Sequence, residues 1–374
     1  MTDERKTADQ AFMRLALELA RECRPSPNPR VGAVIVRRGE VVGRGRHERA
    51  GEPHAEVLAL REAGQAARGA ELYVTLEPCC HQGRTGPCTE AIESAGLTRI
   101  VVGMVDPDPR VSGRGIAFLE QRGHRVDIGV LEGDCRRMLE GYATHRLLGR
   151  PQITLKAAVT LDGAIATAAG DSRWVSSETS RVRAHAMRAE ADAVLVGSGT
   201  ALADDPELTV RHVEGPDPLR IVLDSELRTP TDSRLVRTAV RAPLILAHAG
   251  APPEAIGRFD GLPGVEILRC AATPDGRVDL SDLARALGER GVLSLLVEGG
   301  GGVHGALIEA GLADRFELFV APKLIGPGLP WISLAARASM DEAILVEGLT
   351  AETIGDDVLL SGRFAPPPWE SRER

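Results

Sequence analysis

One histidine and two cysteines place the tightest constraint on how this chain can fold. His54 is followed two positions later by Glu56, and Cys79, directly after Pro78, is followed by Cys88. One imidazole and two thiolates form a ligand set that catalytic zinc sites use, where the fourth position stays open. If this pattern binds a metal, the fold must bring residues 54, 79 and 88 to one point.

The pattern indicates the hydrolytic removal of an amine from a ring carbon. That reaction needs a strong nucleophile at neutral pH, and zinc lowers the pKa of its water to about 7. A carboxylate beside the metal must carry the water's proton to the leaving group, and Glu56 fits this role. The general zinc deaminase signature is H-x-E followed by P-C-x-x-C. This chain departs from it, because the eight residues CHQGRTGP separate Cys79 from Cys88.

Other interpretations of the cluster remain open from the residues alone. Cys80 could replace Cys79, although Cys79 directly follows the proline, as in the signature. The site could also be structural, with four protein ligands, and His81 is then the obvious fourth. His54 could instead be an ordinary core histidine. The catalytic interpretation is favoured because a structural site has no need of Glu56.

Composition limits the class of protein. A chain of 374 residues predicts two domains, and 43% apolar with 26% charged residues is typical of a globular protein. The net charge of -8 argues against a nucleic-acid partner. The N-terminus has no apolar signal core, and no run approaches the ~20 apolar residues that cross a bilayer, so we expect no membrane partner and a cytoplasmic location. In a reducing compartment the clustered cysteines indicate a metal or catalysis rather than disulfides.

Strand and helix patterns alternate in both halves, which predicts two α/β domains. In the first half we expect helices at 8–24, 54–63 and 89–95, a hairpin at 31–36 and 41–42, and strands at 72–76 and 99–105. In the second we expect strands at 153–159, 193–196, 219–223, 244–247, 293–297 and 316–320, and helices at 177–188 and 282–290. The predicted domains are residues 1–149 and 150–366, followed by a flexible tail at 367–374.

Two glycine-rich turns in the second half are candidate phosphate cradles. Gly299–Gly302 follows an apolar strand and opens the next helix, and Gly197–Thr200 also follows a strand. Helix N-termini with free N–H groups bind phosphates well, although both segments could equally be plain tight turns. Gly299–Gly302 is not G-x-G-x-x-G, and no acidic residue about 20 positions on completes a Rossmann fingerprint.

Longer stretches of both halves resemble one protein family. The first half contains NPRVGAVIV, HAEVLAL, VTLEPCCHQGRTGPCTEAI and DPDPRVSGRG. The second half contains LKAAVTLDGAIAT, SRWVSS, ADDPELTVR, VLDS and LLVEGGGGVHGALIEAGLADRF. The chain resembles the bifunctional riboflavin-biosynthesis family, which joins a pyrimidine deaminase to a pyrimidine reductase. The resemblance spans roughly residues 10 to 325 and therefore covers both domains.

For the first domain the resemblance implies a cytidine-deaminase-like α/β/α fold and a zinc-dependent deaminase. The implied reaction removes the 2-amino group of 2,5-diamino-6-ribosylamino-4-pyrimidinone 5'-phosphate. His54, Cys79 and Cys88 would then bind Zn²⁺, and Glu56 would move the proton. The eight-residue spacing between the two cysteines is the family's own pattern.

The resemblance also implies substrate contacts in the first domain. Asn28, His81 and Arg84 match the family's substrate-binding positions, and a guanidinium suits a ribose phosphate. Asp108 stands where we expect the family to carry Asn. A negative charge there would repel the phosphate, so Asp108 is left out of the predicted site.

For the second domain the resemblance implies a dihydrofolate-reductase-like fold that uses NADPH. The implied reaction reduces the ribosyl group of 5-amino-6-(5-phosphoribosylamino)uracil to ribityl. The preference for NADPH over NADH comes from the family alone. The positions that match the family's cofactor contacts are Ala158, Trp174, Thr200, Asp204, Ser225, Gly300, Gly301, Gly302, Val303, His304, Gly305 and Ala306. For Trp174, packing in a small core is the alternative.

Substrate contacts are implied in the second domain as well. The matching positions are Ser172, Arg188, Leu208, Arg211 and Glu298. Arg188 and Arg211 are suited to clamp a 5'-phosphate, although lone arginines are usually solvated. Lys156, a charged residue in an apolar strand, could supply charge near the sugar.

Two alternative functions compete with the bifunctional enzyme. A deaminase acting on cytosine, a nucleoside or a tRNA base would not need the long loop between Cys79 and Cys88 or the attached second domain. A zinc-stabilised binding module would not need Glu56. The expected partners are therefore phosphorylated pyrimidines, and a homo-oligomer is possible although no interface is visible in the sequence.

Overall fold

The computed structural model describes residues 3–81 and 86–370 of the chain. Between Leu148 and Gly149 the chain divides into two compact units, called unit 1 and unit 2. Within the described residues, no helix is long and apolar enough to cross a membrane. A five-stranded sheet lies in unit 1, and a nine-stranded and a two-stranded sheet lie in unit 2.

Unit 1 consists of the five-stranded sheet with helices packed beside it. Its elements are α1 (Asp3–Arg21), β1 (Gly32–Arg37), β2 (Glu40–Arg46), α2 (Ala55–Ala63), β3 (Glu71–Val74), α3 (Cys88–Ala95), β4 (Arg99–Val102), α4 (Arg114–Gln121), β5 (Arg125–Ile128), α5 (Glu132–Met138) and α6 (Glu140–Leu148), with a 3-10 helix at Gly64–Ala67. The strand order is β2-β1-β3-β4-β5. Strand β1 pairs antiparallel with β2 and β3, whereas β3, β4 and β5 are parallel. The predicted hairpin and the partly parallel sheet are both confirmed.

The sequence did not predict the elements between β4 and the end of unit 1. Helix α4 has only eight residues, and its buried side chains Ile116 and Leu119 are too few to show a helical period. Strand β5 is Arg-Val-Asp-Ile with exposed or half-buried positions throughout, so it lacks the apolar run that marks a buried strand.

A close approach of backbone to backbone places α2 against β2. A Cβ atom at Gly45 would lie 2.0 Å from the carbonyl oxygen of Ala55, the first residue of α2. Only glycine leaves room for the start of the helix at this position. The packing therefore fixes the segment that carries His54 and Glu56.

A buried ion pair joins α1 to the parallel part of the sheet. Arg99 on β4 donates through Nη1 to Asp9 Oδ1 at 2.8 Å and through Nη2 to Asp9 Oδ2 at 2.7 Å. The Tyr73 hydroxyl donates to the same carboxylate at 2.7 Å. Both Asp9 and Arg99 are buried, and the guanidinium and the phenol hold the pKa of Asp9 below its usual value against the opposing effect of desolvation. The network satisfies charges that would otherwise be costly to bury.

Unit 2 is built on the nine-stranded sheet. Its elements are β6 (Gln152–Thr160), β7 (Ala164–Thr167), α7 (Glu178–Glu190), β8 (Ala193–Gly197), α8 (Ser198–Asp204), β9 (Leu219–Leu223), α9 (Arg234–Arg237), β10 (Leu244–His248), α10 (Pro253–Gly257), β11 (Val265–Arg269), α11 (Leu280–Glu289), β12 (Ser294–Val297), α12 (Gly301–Glu309), β13 (Arg315–Ala321), β14 (Gly328–Pro330), β15 (Glu347–Ile354) and β16 (Asp357–Arg363), with a 3-10 helix at Met340–Glu342. The strand order of the large sheet is β11-β10-β9-β8-β12-β6-β13-β16-β15, and β7 pairs with β14.

Seven neighbouring strands of this sheet, from β11 to β13, are parallel. Their carboxyl ends therefore share one edge, called the carboxyl edge. Strands β9, β10 and β11 follow β8 on one side, and β12 lies on its other side. Open α/β sheets bind ligands at such a change of direction. The turns after β8 and β12, which are the two glycine-rich turns of the sequence, flank this point.

All six strands and both helices predicted in the second half are present, with small shifts at their ends. The prediction missed β7, β11 and β14 to β16, which are short, exposed or only partly apolar. At the end of the chain, Glu370 donates its backbone N–H to the carbonyl of Pro367 at 2.9 Å, and Pro368 is buried. Residues 367–370 of the predicted tail thus form a turn, and residues 371–374 lie outside the described part of the chain.

Candidate active sites

The cysteine and histidine side chains of unit 1 converge where two helices begin. His54 caps the N-terminus of α2, Cys88 is the first residue of α3, and Cys79 lies in the segment after β3. One ligand atom from each of the three residues lies within 4.8 Å of the others. His54 Nδ1 lies 3.1 Å from Cys88 Sγ and 3.5 Å from Cys79 Sγ.

This donor set fits zinc. The three atoms are one imidazole nitrogen and two sulfurs, which leaves one position of a tetrahedral ion open for water or substrate. Cys80, the neighbour considered as a replacement for Cys79, does not belong to the convergent group. The backbone N–H of Cys88 also donates to Cys79 Sγ at 3.4 Å. The Cys88 thiol, His54 and the Cys88 backbone N–H together lower the pKa of the Cys79 thiol to about 4. This favours the thiolate form that a metal needs.

Glu56 lies in the first turn of α2 and is buried beside the cluster. Burial, followed by the charge of Cys79, raises the pKa of its carboxyl to about 7. The Cys88 thiol hydrogen-bonds to the same carboxylate. A buried carboxyl next to the ligand atoms is in place to accept and return a proton within the site.

Asn28 is held near the cluster by a histidine that the sequence analysis missed. Its Nδ2 donates to His47 Nε2 at 2.9 Å, and His47 Nδ1 donates to the carbonyl of Pro53 at 3.2 Å. The His47 ring lies edge-on to the His54 ring, with centroids 5.0 Å apart. These two bonds fix the orientation of the Asn28 amide. His47 belongs to no recognisable sequence motif, because its link between Asn28 and the Pro53 carbonyl exists only in the folded chain.

Glu77 is a second residue that the sequence analysis missed. Its buried carboxylate accepts four backbone N–H groups, from Asp106, Gly113, Gly115 and Ile116, at 2.8 to 3.2 Å. Charge-assisted bonds of this kind are stronger than neutral ones. Glu77 therefore ties the segment 106–116 to the chain just before Pro78 and Cys79.

Two further predicted contacts of unit 1 lie in the segment between Cys79 and Cys88. His81 is exposed, and Arg84 lies outside the described residues. Asp108 is buried and pairs with Arg110 at 2.6 Å. The Arg110 guanidinium holds the pKa of Asp108 below its usual value despite desolvation. The negative charge of Asp108 is therefore largely compensated by Arg110. The Asp108 carboxylate therefore binds a residue of its own loop, Arg110.

In unit 2 the predicted cofactor run divides into two faces of α12. Gly302, Val303 and Ala306 lie on the accessible side. Gly301 and Gly305 face inward, and a Cβ atom at Gly305 would lie 1.9 Å from the Ser333 carbonyl oxygen. These two glycines allow close packing of the segment 330–333. Only the outward face is open to a cofactor.

His304, one of the predicted cofactor positions, turns its side chain into the unit. The ring is fully buried, with Nδ1 2.9 Å from the Trp331 carbonyl and Nε2 3.3 Å from the Val297 carbonyl. Both ring nitrogens thus face the backbone of the chain itself. At this position only the backbone could reach a cofactor.

The two glycine-rich turns lie next to each other at the carboxyl edge. Gly300 caps the N-terminus of α12, and a Cβ atom at this residue would lie 4.0 Å from Thr200 Oγ1. Thr200 belongs to α8, which starts directly after β8, and Asp204 ends that helix with an exposed side chain. Ser225 follows β9 on the same edge. The predicted phosphate cradle and the loops beside it thus share one edge.

Trp174 is not a core residue, so the packing alternative is wrong. Its side chain is 64% exposed. The Arg181 guanidinium lies 4.5 Å from the centre of its ring. Lys323 Nζ donates to the carbonyls of Trp174 and Val175 at 2.6 and 2.9 Å. The indole is thus held in solvent by a neighbouring cation, and Ser172 lies half-buried in the same loop.

Three predicted substrate contacts form one half-buried charge cluster. Arg188 Nε and Nη2 donate to Glu298 Oε1 and Oε2 at 2.6 and 2.7 Å, and Lys156 Nζ lies 3.9 Å from Glu298 Oε2. These two cations lower the pKa of Glu298 to about 2 against desolvation, whereas burial lowers the pKa of Lys156. Lys156 and Ala158 lie on the face of β6 opposite to the core residues Leu155 and Ala157.

The Arg188 fork is therefore already occupied by a carboxylate. Arg211 is more open, with 42% of its side chain exposed, and it pairs with Glu207 at 3.1 Å. Leu208 is buried with a φ of 56°, in the left-handed region that is uncommon for such a residue. Arg220, fully buried, donates to the Glu207 carbonyl at 2.9 Å and so fixes this loop. Of the two predicted phosphate clamps, the geometry favours Arg211.

Comparisons with known proteins agree with this division into two sites. The family model for the cytidine and deoxycytidylate deaminase zinc-binding region matches residues 6–104, and the model for the RibD C-terminal domain matches residues 151–360. Riboflavin biosynthesis protein RibD of Aquifex aeolicus is 43% identical over 355 residues, which cover 94% of this chain and 97% of that protein. The Escherichia coli RibD is 41% identical over 335 residues, with coverage of 85% and 89%.

Solved structures give the same result. Acinetobacter baumannii RibD superposes with a TM-score of 0.84 at 32% identity, covering 96% of this chain and 99% of that one. A Thermotoga maritima diaminohydroxyphosphoribosylaminopyrimidine deaminase/5-amino-6-(5-phosphoribosylamino)uracil reductase also has a TM-score of 0.84, at 34% identity and the same coverage. Unit 1 thus has the predicted cytidine-deaminase-like fold, and unit 2 has the predicted dihydrofolate-reductase-like fold. The chain belongs to the RibD family of riboflavin biosynthesis proteins.

Proposed function

We propose that this chain catalyses two consecutive steps of riboflavin biosynthesis. Unit 1 removes the 2-amino group of 2,5-diamino-6-ribosylamino-4-pyrimidinone 5'-phosphate, and unit 2 uses NADPH to reduce the ribosyl group of the product to ribityl. The observation that carries the proposal is the convergence of His54, Cys79 and Cys88 beside the buried Glu56. The charge cluster at Lys156 and the turns at the carboxyl edge support the second step.

For deamination, the residues of unit 1 bind the metal and move the proton. When bound by His54, Cys79 and Cys88, zinc supplies the Lewis acidity that makes water nucleophilic near neutral pH. Water adds to the ring carbon that carries the amine, and Glu56 takes a proton from it. Glu56 then returns the proton to the substrate so that the amine leaves as ammonia. Burial of Glu56 suits this exchange, because its pKa lies near neutrality.

For reduction, the residues of unit 2 orient the sugar and supply a proton. When bound, NADPH would supply a hydride to the ribosyl carbon that is bonded to nitrogen. The bond from that carbon to the ring oxygen breaks, and the oxygen must gain a proton. Lys156 is a half-buried cation at this site, and its Nζ lies 3.9 Å from Glu298 Oε2. Lys156 is therefore the proposed proton donor.

The remaining predicted contacts are proposed as positioning groups for the substrate. In unit 1 the Asn28 amide, oriented by His47, is proposed to bind the pyrimidine, and His81 and Arg84 to bind the ribose phosphate. In unit 2 Arg211 is proposed to bind the 5'-phosphate, since the Arg188 fork is held by Glu298. Ser172 and Leu208 belong to the loops that would surround the sugar.

Replacing Glu56 by Gln separates proton transfer from metal binding. The amide keeps the shape of the side chain but cannot carry the proton, so ammonia release should fall by about 10²- to 10⁴-fold. Zinc content, and NADPH oxidation with supplied 5-amino-6-(5-phosphoribosylamino)uracil, should stay unchanged. Glu62→Gln, an exposed position on the same helix, is the matched control. Ammonia release at the wild-type rate in Glu56→Gln would contradict the assigned role.

Metal content tests which thiols bind zinc. Elemental analysis of the purified full-length protein should find about one zinc ion per chain. Cys88→Ser should lose most of this metal and the deaminase activity, because a hydroxyl is a poor replacement for a thiolate ligand. Cys80→Ser, at the adjacent thiol that lies outside the convergent group, should keep both. Full zinc occupancy in Cys88→Ser, or loss of zinc in Cys80→Ser, would refute this ligand set.

Exposed apolar side chains and an exposed edge strand in unit 2 support the proposal of a homo-oligomer. Leu324, Met340 and Leu345 are 71%, 87% and 80% exposed. They precede β15, an edge strand of the large sheet with exposed residues at all but its last position. Edge strands present unpaired backbone groups, and large exposed apolar patches mark interfaces. A second copy of the chain can offer the same strand and the same apolar side chains across a two-fold axis.

Molar mass in solution tests this proposal. Light scattering on the eluted full-length protein should give at least twice the mass of one chain. Leu345→Glu should shift the protein toward the monomer, because a charge would be buried in the interface. Val240→Glu, which also replaces an exposed apolar residue but in the segment after α9, should leave the mass unchanged. A monomeric wild-type protein would rule out the homo-oligomer.

A further inference from the structure

The segment Thr209–Arg211, called the clamp segment, ends on the arginine that is proposed to bind the 5'-phosphate. Each of its three residues has a backbone group bound by a side chain from another part of unit 2. These bonds join Arg188 Nη1 to the Thr209 carbonyl at 3.2 Å, the Val210 N–H to Asp217 Oδ1 at 2.7 Å, and the Arg211 N–H to His185 Nδ1 at 3.1 Å. The clamp segment lies between α8 and β9, outside the regular elements, so side chains provide these backbone partners in place of a helix or strand.

Two of the three bonds come from one face of α7. His185 and Arg188 are three positions apart on this helix, a spacing that places side chains next to each other. The same Arg188 guanidinium pairs with Glu298, and Glu298 Oε2 lies 3.9 Å from Lys156 Nζ. Helix α7 thus connects the clamp segment to the charges around the proposed proton donor.

His185 is placed to accept a hydrogen bond as a neutral ring. The residue is buried, and its ring lies edge-on to the His212 ring with centroids 4.5 Å apart. Burial is the main cause that lowers its pKa to about 4, and the charges of Arg188, Arg211 and His212 act in the same direction. Glu298 opposes this shift. At neutral pH the ring therefore carries its proton on Nε2 and presents the lone pair of Nδ1 to the clamp segment.

The Arg211 side chain is held at both of its ends. At the guanidinium, Nη1 donates to Glu207 Oε2 and to Thr209 Oγ1, each at 3.1 Å. At the backbone, the bond to His185 fixes the point from which the side chain starts. The side chain is 42% exposed, so a ligand can reach it from solvent. A long side chain binds an anion well when its own supports hold it in one orientation, because less conformational freedom is then lost on binding.

We propose that His185 is a positioning residue that holds Arg211 in the orientation that binds the 5'-phosphate of the substrate. The proposal rests on the reductase function and the phosphate contact proposed above, and it adds a residue that touches neither substrate nor cofactor. His185 acts through the backbone of Arg211. Its loss should therefore weaken the binding of a phosphorylated substrate and leave the chemical step unchanged.

Two substitutions at His185 separate the hydrogen bond from simple packing. Leucine has about the volume of histidine but no acceptor, whereas asparagine is smaller but carries an acceptor oxygen on Cγ, as Nδ1 is carried in histidine. In the full-length enzyme, His185→Leu should raise the KM for 5-amino-6-(5-phosphoribosylamino)uracil by about 5- to 50-fold at an unchanged kcat, because a buried N–H loses its partner. His185→Asn should restore most of this loss, despite the cavity that it leaves.

The phosphate itself provides the second comparison. With 5-amino-6-ribosylaminouracil, which lacks the phosphate, kcat/KM should be the same in wild type, His185→Leu and His185→Asn. In the double variant of His185→Leu and Arg211→Ala, the KM for the phosphorylated substrate should equal that of Arg211→Ala alone, since both changes act on one contact. Arg183→Leu, which also places a leucine on α7 but at an exposed position, should behave as wild type.

His185→Gln keeps the test available if the leucine variant does not fold. Its amide oxygen lies one bond farther from the backbone, so it should raise the KM as leucine does. An equal loss with the substrate that lacks the phosphate, a larger loss in His185→Asn than in His185→Leu, or additive effects in the double variant would overturn the positioning role and leave the reductase function standing. A wild-type enzyme that does not oxidise NADPH with the phosphorylated substrate would overturn both proposals.

Discussion

Three ligand atoms from residues as far as 34 positions apart must lie within 4.8 Å of one another, and unit 1 is arranged around this requirement. Two helices begin at the cluster, which places His54 and Cys88 at fixed backbone positions. Gly45 permits the close approach of α2 to β2, and Glu77 anchors the segment that leads to Cys79. The metal site therefore depends on backbone packing that would be needed even without the metal.

In unit 2 the candidate site is defined by charged side chains that meet beside the large sheet. Glu298 is paired with Arg188 and approached by Lys156, so one carboxylate faces two half-buried cations. The excess positive charge suits a phosphorylated sugar and a dinucleotide. The glycine-rich turns after β8 and β12 add backbone N–H groups at the point where the strand order changes direction. The positive charge and the strand order thus both indicate a binding site for phosphorylated ligands at the carboxyl edge.

The sequence predicted best what depends on local pattern. The spacing of His54, Glu56, Cys79 and Cys88 identified a convergent group, and apolar runs identified the central strands. It could not identify His47 or Glu77, since their partners are backbone groups brought near only by the fold. It also could not distinguish the inward His304 from the outward Gly302, because seven matching positions in a row carry no information about helix faces. Short elements such as β5 and α4 contain too few buried apolar side chains to show a period.

Ammonia and NADPH, followed separately in one reaction of the wild-type enzyme, test most directly whether two sites act in sequence. With the diaminopyrimidine substrate and no NADPH, ammonia should be released to completion, since the zinc site needs no reductant. When NADPH is then added, about one molecule should be oxidised for each ammonia already released. NADPH oxidation that precedes ammonia release, or ammonia release that requires NADPH, would contradict two separate sites used in this order.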